Sequence, residues 1–263
     1  MHDTQATFTL GRRYLETIEG SAQPMIVDAL KDIAPDLARM TISFAYGEIY
    51  SRPALDLRQR QFATVAALAA MGSAEPQLRF HIAGALNVGC TPREIVELMI
   101  HLAVYAGFPV ALNGVAAARA VFGERGVNAD PALISPGCNR YDDGVAGLRA
   151  IDGSAGERVI ESLRDIAPDL GRFIVEFAFG DVYARPTLDL VSRELITVAA
   201  LSAMGSAAPQ LEVHMHGFLN VGGTKEQMVE VVTQIAVYAG FPRAINAVLL
   251  ARQVVASQTS GAH

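Results

Sequence analysis

The sequence predicts an all-α chain built from two tandem copies of one helical domain, and three observations carry that expectation. The first is an internal repeat: PQLRFHIAGALNVGC, starting at Pro76, returns as PQLEVHMHGFLNVGG from Pro209, an offset of 133 residues. The same gapless offset relates Arg52-Pro53 to Arg185-Pro186, Met71-Gly72-Ser73 to Met204-Gly205-Ser206, and the run AVYAGFP from Ala103 to its copy from Ala236. Solenoid units are about 20–50 residues long, so a period this long marks a whole-domain duplication. The second is the scarcity of alternating β-branched runs beside long stretches dominated by Ala, Leu, Glu and Met. The third is a set of helix boundary signals that recur at matched positions.

The copies are placed at 8–125 and 141–255, joined by a linker at 126–140 that is dense in Gly, Pro, Asn and Asp and lacks apolar periodicity. In the lead-in, Gly11, Leu15 and Ile18 correspond to Gly144, Leu148 and Ile151. Thr91-Pro92-Arg93-Glu94 combines a capping Thr, Pro at the first helical position and Glu three residues after the cap; Thr224 to Gln227 repeats the box with Gln. The uncharged run 98–118 approaches the roughly 20 residues of a membrane span. Its interior His101, Gly107-Phe108-Pro109 and Asn113, and Arg243 in the copy, instead predict two buried helices meeting at Gly-Phe-Pro. Asp189 caps a predicted helix over 190–204, LVSRELITVAALSAM, which is apolar on nearly every face after its first turn and so belongs in a core. The next helix starts near Pro209 and stops at Gly222-Gly223.

Composition sets outer bounds. Half of the 263 residues are hydrophobic (51%), enough for a large core. With 21 Lys+Arg against 27 Asp+Glu and no basic cluster, the chain carries no electrostatic footprint for nucleic acid. The start MHDTQATFTLGRR lacks a basic segment followed by an apolar one, and Cys90 and Cys138 form no CxxC, so reduced thiols in a cytoplasmic protein are expected. More apolar helical surface is present than one repeat of about 115 residues can hide, which predicts packing between the copies and oligomerisation.

The candidate chemistry centres on His214, which lies in the apolar stripe Leu211, His214, Met215, Phe218, Leu219; its counterpart is His81. His216 sits about 200° round the helix from His214, so the two cannot share a metal ion, and no metal or cofactor motif is present. Glu194, near the start of the 190–204 helix, is replaced by Gln61 in the first copy. Two readings stay open from these residues alone. One is a core imidazole bonded to a backbone carbonyl with a first-turn acid favoured by the helix dipole. The other is a carboxylate beside an imidazole in a dry pocket, tuned for proton transfer.

The combined pattern YxRPxLDLxxRE, TVAALxAMG, PQLxxHxxGxLNVG and AVYAGFP resembles the carboxymuconolactone decarboxylase family, which includes the distantly similar alkyl-hydroperoxidase D proteins. The resemblance spans nearly all of both repeats. It implies an all-α fold, a cofactor-free lyase of aromatic-compound degradation that decarboxylates a small carboxylated lactone, and catalytic residues at Glu194, His214 and His81, with Gln61 departing from the pattern. For such a lyase, Arg185 or Arg193 is expected as a carboxylate clamp, with Asn220 and His216 as further substrate contacts, and the resemblance implies a trimer of two-domain chains mimicking the hexamers of single-domain members. Peroxidase relatives carry two cysteines seven and four residues before the His; here those positions are Ala74 and Gln77, and Ala207 and Gln210. The alternative from another class is a ligand-binding homologue whose histidines merely pack.

Overall fold

The computed structural model describes residues 4–131, 137 and 139–260. The first repeat runs α1 (Thr4–Glu19), α2 (Met25–Leu30), α3 (Pro35–Met40), a π-helix at Thr41–Tyr50, α4 (Leu57–Met71), α5 (Glu75–Asn87), α6 (Pro92–Tyr105) and α7 (Phe108–Arg125). The second repeats it as α8 (Arg140–Asp152), α9 (Ser154–Ser162), α10 (Pro168–Phe173), a π-helix at Ile174–Tyr183, α11 (Leu190–Met204), α12 (Ala208–Asn220), α13 (Lys225–Ala239) and α14 (Phe241–Ser260). No strand occurs among the described residues. Of the expected linker, 132–136 and 138, Cys138 included, lie outside the described residues.

The boundary chemistry read from the sequence is present atom by atom. Asp189 accepts a hydrogen bond from the Ser192 backbone N–H at 2.7 Å, and Thr91 with Glu94 and Thr224 with Gln227 form reciprocal capping boxes. α4 and α11 end on Gly72 (φ 68°) and Gly205 (φ 71°), left-handed positions that a residue with a Cβ adopts only under strain. The π-helices were not foreseen, because a one-residue change of hydrogen-bond register leaves no mark on an apolar run. Their fit does have a signature: a Cβ on Gly11 would stand 2.1 Å from the Ile42 carbonyl oxygen, and one on Gly144 2.2 Å from that of Val175. Glycine recurs there because α1 and α8 cross the π-helices at backbone contact, which turns Tyr50 and Tyr183 into the core.

The centre of the molecule is the pairing of α4 with α11, one from each repeat. Arg60 to Ala69 and Arg193 to Ala203 are buried without a break, and one hydrophobic core spans both copies. Contacts across the repeats come in exchanged pairs. Arg52 Nε donates to Glu230 and Arg185 Nε to Glu97, each at 2.8 Å; the Tyr50 and Tyr238 hydroxyls meet at 2.7 Å, and those of Tyr183 and Tyr105 at 2.5 Å. Each contact recurs with the repeats interchanged, as an approximate internal twofold requires. Consequently α6 delivers side chains into the second repeat and α13 into the first. Among the described residues, no helix is long and apolar enough to cross a membrane.

Candidate active site

α11 and α12 bring Glu194 and His214 together: His214 Nδ1 lies 2.9 Å from Glu194 Oε2. The approach depends on Gly217, one turn beyond the histidine, where a Cβ would stand only 3.0 Å from Glu194 Oε2. The π-helix adds Tyr183, whose hydroxyl donates to Glu194 Oε1, and the hydroxyl of Tyr105 on α6 reaches Tyr183. Because the Tyr183 proton is committed to Glu194, Tyr105 is the donor in that second bond. The Tyr105 ring also meets the imidazole of His214 edge-on, 4.9 Å between centroids and 88° between planes. The site is therefore assembled from both repeats.

Behind it stands a buried charge network. Arg193 donates to Glu97 Oε1 and to the Arg185 carbonyl, both at 2.8 Å, and Arg185 also binds Glu97. His101 Nε2 lies 2.8 Å from Thr197 Oγ1, which spends its own proton on the Arg193 carbonyl, so His101 carries its proton on Nε2. Burial, together with the charge of Arg193, holds His101 well below the ordinary histidine range. His101 is thus neutral scaffolding.

His214 behaves differently. Burial alone would depress it, but the charge of Glu194, the hydrogen bond to it and the charge of Asp152 outweigh burial, and its pKa is raised above 6.5. Asp152, at the end of α8, places Oδ1 4.0 Å from His214 Nδ1, and burial pushes its carboxyl up to about 6. With Nδ1 turned to Glu194, Nε2 is the ring nitrogen left to meet a ligand. The site is nearly closed in the single chain: Glu194 is fully buried and His214 keeps 7% of its surface.

The first repeat holds the corresponding cluster with its chemistry altered. His81 Nδ1 faces Gln61 Oε1 at 3.0 Å, and His81 Nε2 faces the hydroxyl of Tyr238 at 3.3 Å, so both nitrogens are engaged. Gln234 stands where the second site has His101, bonding Arg60 and Thr64. With no carboxylate beside it, burial drives His81 down to about 3. His81 therefore belongs to a separate site and does not complete the Glu194 pocket.

The expected substrate contacts fare unevenly. Arg193 is fully buried and grips the chain's own Glu97, so it is a strut and cannot clamp a ligand carboxylate in the Glu194 pocket. Arg185 is tied to the same glutamate. Asn220 Nδ2 donates to the Ile151 carbonyl at 2.9 Å, and Asn87 likewise to Ile18 at 2.8 Å: the recurring Leu-Asn ties the end of one helix to another. His216 is half-buried and offset round α12 from His214. Sequence reasoning missed Tyr105, Tyr183 and Asp152. The tyrosines had a signal, since both lie in repeated phrases, YxRP and AVYAGFP. Asp152 had only an acidic counterpart, Glu19.

The thiol route of peroxidase relatives has no counterpart at Ala207 and Gln210, and the buried Cys90 is pushed up to about 12 chiefly by burial. Comparison with known proteins agrees with the architecture. The model of the carboxymuconolactone decarboxylase family matches twice, at 35–120 and 168–253. A 4-carboxymuconolactone decarboxylase of Acinetobacter baylyi is 36% identical over 97 residues, 37% of this chain and 72% of its own. A nitrosuccinic acid decarboxylase of Metarhizium robertsii is 31% identical over 118 residues, 44% of this chain and 80% of its own. A crystal structure from Burkholderia xenovorans, assigned provisionally as a gamma-carboxymuconolactone decarboxylase subunit, superposes with a TM-score of 0.62 at 25% identity over 95% of this chain and 98% of its own. With both repeats matched by one family model, this chain belongs to the carboxymuconolactone decarboxylase family as a tandem-duplicated member.

Proposed function

We propose that the chain is a cofactor-free decarboxylase of a small carboxylated lactone, working at the second-repeat site. The observation that carries this reading is the 2.9 Å contact between His214 and the buried Glu194, which favours the charged imidazole against the effect of burial while leaving Nε2 for a ligand. Loss of CO2 breaks a carbon–carbon bond and sends its electron pair into the substrate's conjugated carbonyl. His214 Nε2–H then delivers a proton to the resulting carbanion, and solvent restores it. Glu194, fixed by Tyr183, stabilises the imidazolium before transfer and orients the ring. The family match and two decarboxylase-named relatives support the reaction class.

A binding-only role is favoured by one feature, the near closure of the site in the single chain. Screening small lactone acids for CO2 release separates the two: turnover that disappears in His214→Ala supports the lyase, and saturable binding without turnover supports the other.

We further propose assembly as a trimer. The apolar side chains left exposed are matched between repeats, with Ile33, Leu37 and Phe108 answering to Ile166, Leu170 and Phe241. Both copies thus present equivalent faces, the condition for a closed ring. Sedimentation should give three times the 28.0 kDa chain mass; a monomer mass would reject it.

A further inference from the structure

Away from the His214 site, a cavity of about 480 Å³ opens between α6, α7 and the segment following the second π-helix. Its volume falls in the range of small-molecule pockets. The floor is apolar, with Val96, Ile100 and Phe122, while Arg93, Arg119 and Arg185 stand at its edge. Glu97 lies at the base but is already held by Arg185 and Arg193. The other lining carboxylate, Asp130, is exposed and 3.9 Å from Arg93. Three guanidinium groups thus line the cavity against two carboxylates, in a chain whose net charge is −6.

Two of those cations have unused donors. Arg185 spends Nε on Glu97, and its terminal amino groups take no partner among the described residues; Arg119 has none at all there. Duplication supplies an internal comparison. At the matched positions of the second repeat, Arg252 and Arg52 answer to Arg119 and Arg185, but Glu226 replaces Arg93 and Thr233 replaces Ile100, so the third rim cation and the full apolar floor belong to one copy. Tyr105 lies eight residues further along α6 than Glu97, about 12 Å at the helical rise. The cavity is therefore a separate space from the His214 site, the two adjoining through the Glu97–Arg185–Arg193 network.

We infer that this cavity is a second binding site, for a small aromatic or alicyclic carboxylate whose ring lies on Val96, Ile100 and Phe122 and whose carboxylate is taken by the free donors of Arg119 and Arg185, with Arg93 adding charge at the rim. A guanidinium fork matches a carboxylate in two parallel hydrogen bonds, and the apolar floor rewards a ring over a bare inorganic anion. The experiment is isothermal titration of the full chain with benzoate, and with neutral benzamide as the control. Wild type and His214→Ala should share one salt-sensitive binding event per chain. Arg119→Ala and Arg93→Glu, both on exposed side chains, should each weaken it at least about tenfold, and benzamide should bind at least about tenfold more weakly than benzoate. Absence of binding, binding untouched by either arginine variant, binding lost only in His214→Ala, or equal binding of benzamide would each overturn the inference.

Discussion

Replacing Glu194 by Gln should turn the second site into a copy of the first, and the chain itself supplies the reference. His81, held by Gln61 at 3.0 Å, is driven to about 3 by burial, whereas His214, held by Glu194 at 2.9 Å, is raised above 6.5. The Glu194→Gln variant should therefore titrate far below the wild type and lose most of its charged imidazole at neutral pH, with a fall in turnover within the ~10²–10⁴-fold span typical of a lost acid–base group. The assay is NMR titration of the imidazole carbons, with His214→Gln used to assign the resonance. Stability should move with it. A raised histidine pKa contributes stability that is full below 6.5 and fades as pH rises through the folded value; in the variant the shift is downward, so stability falls as pH drops below 6.5. The gap between variant and wild type therefore widens on acidification. A His214 that titrates at the wild-type pH in Glu194→Gln would refute the reasoning.

Three further outcomes follow from the same geometry. Gln61→Glu should lift His81 from about 3 into the range above 6.5, read in the same titration. Glu97→Ala leaves Arg193 buried without its carboxylate and should cost about 3–5 kcal/mol in urea denaturation. Gly217→Ala puts a methyl 3.0 Å from Glu194 Oε2 and 3.1 Å from Ile151 Cγ2; it should cost about 1–3 kcal/mol and lower the His214 pKa by loosening the pair.

Much of this was legible in the sequence because its signals are local. Caps at Asp189, Thr91 and Thr224 work within four residues, and the buried face of the 190–204 helix shows in its composition. The Glu194–His214 pair was legible through the stripe on α12 and the acid at the head of α11. What escaped depends on packing between distant segments. Arg193 reads as a ligand clamp until Glu97, 96 positions away, is seen to occupy it. Tyr105 joins the site because the two repeats exchange α6 and α13, a relation no periodicity encodes. Asp152 reaches His214 only once α8 is laid against α12.

The most direct test of the central claim, that one chain carries one competent proton-donating site, is CO2 release from a carboxylated lactone turned over by the wild type, measured side by side in Glu194→Gln and His81→Ala. The account predicts a loss of about 10²–10⁴-fold in the first and far less in the second. Equal losses, or full activity in Glu194→Gln, would contradict it.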